Sequence, residues 1–255
     1  MDDILSSLRL IDIKKICLHE EHEHTRLAQT CAAISTDGVL RHPPLAMQMS
    51  DGRYLILDGA HRTNALQNLG CKRIAVQIIE REEIQIGSWD HVIPMGEWLE
   101  QLKNHPSIRW QTERVKSAPI VQVVTDTNKY YVYEGAAESS PLTRLAIWHL
   151  IVNAYRKDYS IKRIISGHEY HVEKGMVRLC YPAYTLQEIE SIVLSGAVMP
   201  AGVTRVVVNG RLLNLNIPLS YLMAGSLNQA EWEQKKEQWA RALRLYAEAV
   251  YLCEV

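Results

Sequence analysis

Apolar and polar positions along the chain keep two rhythms, and each change of rhythm marks an element. Residues 9–16 carry Leu10, Ile11, Ile13 and Ile16 and read as a short strand with its connection. A polar, acidic stretch at 19–24 follows as a loop, and residues 25–36 place Leu27, Cys31 and Ile34 on one helical face. Gly38 stops that helix, and Pro43-Pro44 holds the backbone extended before a strand at 45–48. Asp51-Gly52 is a two-residue hairpin signal, with 53–57 as the return strand. The pattern then turns helical over 63–69, with Ala65, Leu66 and Leu69 inward and Gly70 as the stop, before a strand at 74–79. Residues 58–62 therefore sit in a tight strand-to-helix connection. Residues 89–100 read as a loop entering a helix.

The second half mixes elements differently. Residues 120–124 and 130–133 form a hairpin, and 141–156 is helical with Leu145, Trp148, Val152 and Tyr155 on one face. Thr185-Leu186-Gln187-Glu188 is a capping box whose helix ends at Gly196. Residues 204–208 and 211–216 read as strands joined by Asn209-Gly210, a type I′ signature. A C-terminal helix over 229–250 carries an apolar stripe of Trp232, Trp239, Leu243, Tyr246 and Val250, which suits core packing or a homodimer contact. The whole predicts a mixed α+β fold. Its soft boundary gives an N-terminal domain of residues 1–105 and a smaller α/β domain of residues 106–255 that completes a site.

Composition changes this picture little. The 255 residues are 47% hydrophobic and 22% charged, enough for a sizeable core. A net charge of -1 shows no basic excess, which argues against a nucleic-acid partner. The five cysteines are widely spaced with no CxxC, so neither a disulfide framework nor a zinc site is expected. No basic-then-apolar leader opens the chain, and no apolar run approaches the ~18 residues of a membrane span, so the cytoplasm is the expected compartment. The run His19-Glu20-Glu21-His22-Glu23-His24 is not HExxH, because position 23 is Glu.

The chemistry concentrates at Leu57-Asp58-Gly59-Ala60-His61-Arg62-Thr63. A glycine after a strand lets an anion approach the backbone, and the helix that follows presents N–H groups and the positive end of its dipole. His61 and Arg62 add donors, and Asp58 supplies a carboxylate. No GxxxxGK[ST] occurs, so the cradle is not a Walker motif. The same residues also describe an Asp-Gly turn before a helix with a surface His-Arg pair.

That box, the amphipathic helix after it, Leu69-Gly70 and the strand Ile74-Ala75-Val76 resemble the ParB/sulfiredoxin superfamily. There a Gly-x-[His/Arg]-Arg box before a helix binds nucleotide phosphates. The resemblance covers roughly residues 8–80. Ala60 stands where sulfiredoxins carry a nucleophilic cysteine, so cysteine chemistry is not implied. The ParB branch, a nucleotide-dependent DNA-binding regulator, is the alternative; Ala60-His61 and the strand-containing, non-basic second half point away from it. The chain is most similar to the free serine kinase branch, which includes a kinase of siderophore biosynthesis. Leu18-His19-Glu20, Arg41-His42-Pro43, Trp89 with Pro94 and Trp98, Pro200-Ala201-Gly202-Val203-Thr204-Arg205, and Asn209-Gly210-Arg211 to Asn214-Leu215 carry that similarity.

The resemblance implies a ParB/sulfiredoxin-like N-terminal domain, ATP or ADP as phosphoryl donor with Mg2+, and free L-serine as acceptor. It implies Glu20 as the base that takes the serine hydroxyl proton. Asp58 would bind magnesium or orient His61, and His61 and Arg62 would contact the phosphates. Gly59, Ala60, Thr63 and Asn64 would complete the cradle. Trp89 would wall the acceptor pocket, and Thr204 and Arg205 would hold the serine carboxylate. The bland alternatives are a solvated Glu20, a core Trp89 and a solvent-facing Arg205.

Overall fold

The computed structural model describes residues 4–135, 140–226 and 228–246. In chain order the elements are β1 (Leu8–Asp12), β2 (Ile16–Leu18), α1 (His24–Asp37), β3 (Val39–Leu40), β4 (Leu45–Gln48), β5 (Tyr54–Asp58), α2 (Ala60–Asn68), β6 (Arg73–Ile78), β7 (Gln85–Pro94), α3 (Glu97–Lys103), β8 (Ile108–Gln111), β9 (Val121–Val124), β10 (Lys129–Glu134), α4 (Pro141–Tyr155), β11 (Lys162–Ile165), β12 (Met176–Cys180), α5 (Leu186–Leu194), β13 (Thr204–Val207), β14 (Ile217–Pro218), α6 (Leu219–Met223) and α7 (Gln229–Ala242). The fold is mixed α+β, as expected. Among the described residues no helix is long and apolar enough to cross a membrane.

Two compact units emerge, interleaved in sequence. Unit 1 comprises Met1–Ile16, His24–Glu83 and Val208–Val255; unit 2 comprises Cys17–Glu23 and Ile84–Val207. These differ from a single cut at 105/106, and the reason lies in pairing partners. The returning chain beyond 207 bonds to unit 1: Ile217 pairs with Leu40, and Leu222 O accepts from Lys72 N at 2.8 Å. β7, although early in sequence, pairs only with later strands of unit 2.

Unit 1 contains a sheet ordered β1-β6-β4-β5. β6 runs antiparallel to β1 and parallel to β4, and β4 runs antiparallel to β5. β6 keeps Ile74, Ala75, Val76 and Gln77 buried in succession, the mark of a strand covered on both faces. α1 packs on α2, and Ala65 and Leu66 of α2 are fully buried. The Asp51-Gly52 hairpin exists, but not as a two-residue loop. Gly52 N donates to Met49 O at 3.0 Å and Met49 N to Arg53 O at 2.8 Å, enclosing Ser50, Asp51 and Gly52. Only Gly52 takes a positive φ, 83°, so the turn is a three-residue loop with glycine at its left-handed position.

Unit 2 is built around β7. The first half of β7 pairs with β13, and its second half lies between β11 and β12. The sheet continues from β12 through β9 and β10 to β8. Of residues 89–100, expected as a loop entering a helix, the helix begins as α3 at Glu97, whereas 89–94 are instead the end of this strand. The buried polar pair Asp90 and His91 interrupts the apolar alternation that would have revealed it. α4 starts at Ser140, whose Oγ accepts from Thr143 N at 3.0 Å, with Pro141 in its first turn. α5 carries the expected capping box at Thr185 and Glu188.

Two further expectations change. Residues 211–216 form no strand, because Asn214 (φ 56°) and Asn216 (φ 51°) turn left-handed there. Asn209 keeps a negative φ, so the type I′ turn does not form. α7 ends at Ala242 rather than near 250. Trp232 of its stripe is buried against Tyr221 and Trp239, whereas Tyr246 is exposed and Val250 lies outside the described residues.

Gly52→Ala forces a Cβ into the left-handed region. It is expected to destabilise the protein by about 1 kcal/mol, read as a lower urea midpoint with an unchanged slope.

Candidate active site

In unit 1, β5 ends at Asp58 and α2 begins at Ala60, so Gly59 alone makes the turn. Gly59 is the N-cap, with φ 99° and ψ 30°. A Cβ there would come within 2.9 Å of the Pro44 Cβ. Both the dihedral and the close approach demand glycine. Gly59 supplies no capping side chain to the N-terminus of the helix. The helix starts earlier than the apolar pattern suggests. Thr63 N already donates to Gly59 O at 2.9 Å, so the cradle's amides lie one turn before Thr63 and Asn64. Thr63 itself is fully buried, whereas His61, Arg62 and Asn64 are half-buried.

Asp58 does not act alone. Its Oδ2 accepts from Arg62 Nη2 at 2.9 Å and also from Arg211 Nη2. Arg62 is held further by His42 O, which accepts from its Nη1 at 2.7 Å. Arg211 lies 153 residues from Asp58 in sequence. No local pattern could have paired them.

In unit 2, Glu20 forms a parallel bridge with Met199. Met199 N donates to His19 O at 2.6 Å and Glu21 N to Met199 O at 2.9 Å. This ladder turns the Glu20 side chain onto the next bend, where its Oε2 accepts from Gly202 N at 3.0 Å. The neighbouring glutamates go elsewhere: Glu21 pairs with Arg156 and Glu23 lies 3.8 Å from Arg163. Glu20 is therefore not one solvated charge among equals.

Two residues beyond Gly202, β13 brings Thr204 opposite Ser88 and Arg205 opposite Gly87. Trp89 N donates to Val203 O at 2.8 Å, and the Arg205 guanidinium lies 5.3 Å from the centroid of the Trp89 ring. A guanidinium stacked on indole keeps its N–H edge available for a carboxylate. Trp89 is half-buried on a strand, neither a loop residue nor a sealed core aromatic. Unit 2 thus gathers Glu20, Trp89, Thr204 and Arg205 around the segment 202–205, and unit 1 gathers Asp58 through Arg62.

No family model matches the chain. It is 35% identical over 257 residues to the ATP-dependent L-serine kinase SbnI of Staphylococcus aureus, with 100% of each chain covered. The chain belongs to the ATP-dependent L-serine kinase family. A second relative, the ATP-dependent L-serine kinase of Staphylothermus marinus, is 31% identical over 99 residues, covering 37% of this chain and 39% of its own. Among solved structures, C-terminally truncated SbnI from Staphylococcus aureus superimposes with a TM-score of 0.85 at 33% identity, covering 94% of this chain and 99% of its own. A free serine kinase in complex with AMP shares the fold, with a TM-score of 0.68 at 18% identity over 85% of this chain and 93% of its own.

In this member of the L-serine kinase family, His91 is a contributor that sequence reasoning misses. It is fully buried on β7; its Nε2 bonds Gly202 O at 2.9 Å and its Nδ1 bonds Tyr155 Oη at 2.7 Å. Tyr155 Oη lies 2.9 Å from Tyr181 Oη, and Tyr181 O accepts from Ser88 Oγ at 2.5 Å. Gly202 O can only accept, so Nε2 carries the proton, Nδ1 accepts from Tyr155 and Tyr155 accepts from Tyr181. Glu20 and His91 therefore grip Gly202 through its N–H and its carbonyl respectively. A lone histidine in an apolar run gives no hint of this.

Burial pushes His91 down from its ordinary 6.5 to about 4, with the nearby Arg163 adding to the shift. As pH falls, the unfolded chain binds this proton first, so stability is flat above about 6.5 and declines from there to about 4. The full loss is on the order of 3 kcal/mol. Urea denaturation of wild type and His91→Gln at pH 7 and pH 5 checks this. The decline shrinks in the variant; an identical decline in both would remove His91 as its source.

Proposed function

We propose that this chain is a free L-serine kinase that transfers the γ-phosphoryl group of ATP to the serine hydroxyl, giving O-phospho-L-serine and ADP. The observation that carries this reading is the full-length likeness to a kinase named for that reaction, in a chain whose Glu20 is aimed and held by Gly202. ATP is favoured over ADP as donor because both named relatives are ATP-dependent.

In this reading Glu20 accepts the hydroxyl proton as the serine oxygen bonds to the γ-phosphorus. The bond from that phosphorus to the bridging oxygen breaks, and ADP leaves. Arg205, stacked on Trp89, binds the serine carboxylate, with Thr204 beside it. The N-terminus of α2 at Gly59 and Ala60, with His61 and Arg62, receives the phosphates. Asn64 borders this turn, and buried Thr63 supports it. Mg2+ supplies charge neutralisation on the phosphates when bound. Among the described residues no group of three or more acidic, His or Cys side chains is placed to hold a metal, and Asp58 Oδ2 is shared by two guanidiniums. Magnesium would therefore be held chiefly by phosphate oxygens, with Asp58 orienting the arginines. We place the reaction in the cytoplasm, where ATP is abundant. The siderophore destination of the product rests on the resemblance alone.

Purified protein with L-serine, Mg2+ and ATP is expected to yield O-phospho-L-serine by mass spectrometry; no product with ATP or ADP, while nucleotide binds, sinks the reading. Glu20→Gln is expected to lower kcat roughly 10²–10⁴-fold with ATP affinity retained. Arg205→Ala is expected to raise the KM for serine by roughly 10- to 100-fold while the KM for ATP holds steady.

A further inference from the structure

Gln77 is a polar side chain at a covered position of β6, only 2% exposed. A buried amide must find partners for both of its ends. Its Nε2 donates to Gly210 O at 3.1 Å, and its Oε1 accepts from Leu212 N at 2.8 Å. The residue between the two clamped positions is Arg211. Farther along, Asn214 N donates to His42 Nδ1 at 2.9 Å and Leu215 N to Arg41 O at 2.9 Å. The segment is thus pinned on both sides of Arg211, and its guanidinium is delivered to Asp58 Oδ2.

One arginine is enough to neutralise one carboxylate. Here a carboxylate of charge −1 carries two guanidiniums of charge +1 each, a surplus of one positive charge. That surplus lies on the residue just before Gly59, at the positive end of the α2 dipole. Arg62 is bonded through both terminal nitrogens and is 18% exposed; the Arg211 side chain is 39% exposed. Of the two, Arg211 has the solvent access to meet an incoming anion.

We propose that Arg211 is a phosphate-binding residue of the nucleotide loop and that the buried Gln77 is its positioning residue. Asp58 then acts as a holder, keeping the Arg211 fork extended toward the turn until phosphate oxygens take it up. The inference rests on the nucleotide reading of this loop.

Calorimetric titration of the full chain with ATP, AMP and adenosine tests it. Arg211→Ala is expected to weaken ATP binding roughly 10- to 100-fold and to leave adenosine binding unchanged, with AMP between them. Gln77→Leu is expected to produce a smaller loss with the same dependence on phosphate. ATP affinity of the wild type falls more steeply with salt than that of Arg211→Ala. A merely structural role predicts equal losses for ATP and adenosine, and that result overturns the proposal. Should Arg211→Ala fail to fold, Arg211→Gln, which removes the charge and keeps the aliphatic stem and an amide donor, is judged by the same ATP-to-adenosine ratio. Phosphoserine formation by the wild type separates the two readings. Without product, an ATP affinity that depends on Arg211 keeps this proposal and removes the kinase; with product, an unchanged ratio keeps the kinase and removes Arg211.

Discussion

Both backbone polar groups of Gly202 are engaged by side chains of unit 2: its N–H by Glu20 and its carbonyl by His91. Gly202 sits at φ 75°, a left-handed backbone conformation that favours glycine. This grip sets much else in place. It orients the Glu20 carboxylate, and through Val203 it sets the start of β13, which carries Thr204 and Arg205 past Trp89. Behind it stands a buried chain of hydrogen bonds through Tyr155 and Tyr181, two of the most fully buried large side chains. Fully satisfied buried networks of this kind are rigid, because any rearrangement strands a polar group in a low-dielectric interior.

Unit 1 solves a comparable problem by electrostatics. Its turn, proposed above to receive phosphates, must hold two guanidiniums together without repelling itself apart. The Asp58 carboxylate holds two guanidiniums in place beside the helix N-terminus, and the net positive charge remains. The neutral, buried amide of Gln77 does the positioning without adding charge. A basic residue in its place would have to be desolvated, which the interior of β6 would not tolerate without a partner.

Elements with strong local grammar were legible in advance. The helices at 24–37 and 141–155, the Thr185 start, the β9–β10 hairpin and the strand–glycine–helix turn follow from periodicity and capping chemistry. Elements that depend on distant partners were not. The second half of β7 reads as a loop because Asp90 and His91 break its apolar pattern; Arg178 engages Asp90 Oδ2, and Gly202 and Tyr155 engage both ring nitrogens of His91. Asn209-Gly210 carries a hairpin signature, yet Gln77 and His42 claim the backbone that a return strand would need.

By itself the sequence determined the strand–glycine–helix turn with His61 and Arg62, which depends on side-chain type and on neighbours within a few positions. Glu20, Trp89 and Arg205 stood out only through the resemblance to the serine kinases, because their local pattern also suits a solvated glutamate, a core tryptophan and a solvent-facing arginine. Tertiary structure alone decided that Glu20 meets Gly202, 182 residues away, and that Asp58 meets Arg211. Long-range pairs of this kind are selected by satisfying buried backbone groups and charges across the fold, and no periodicity along the chain encodes that requirement.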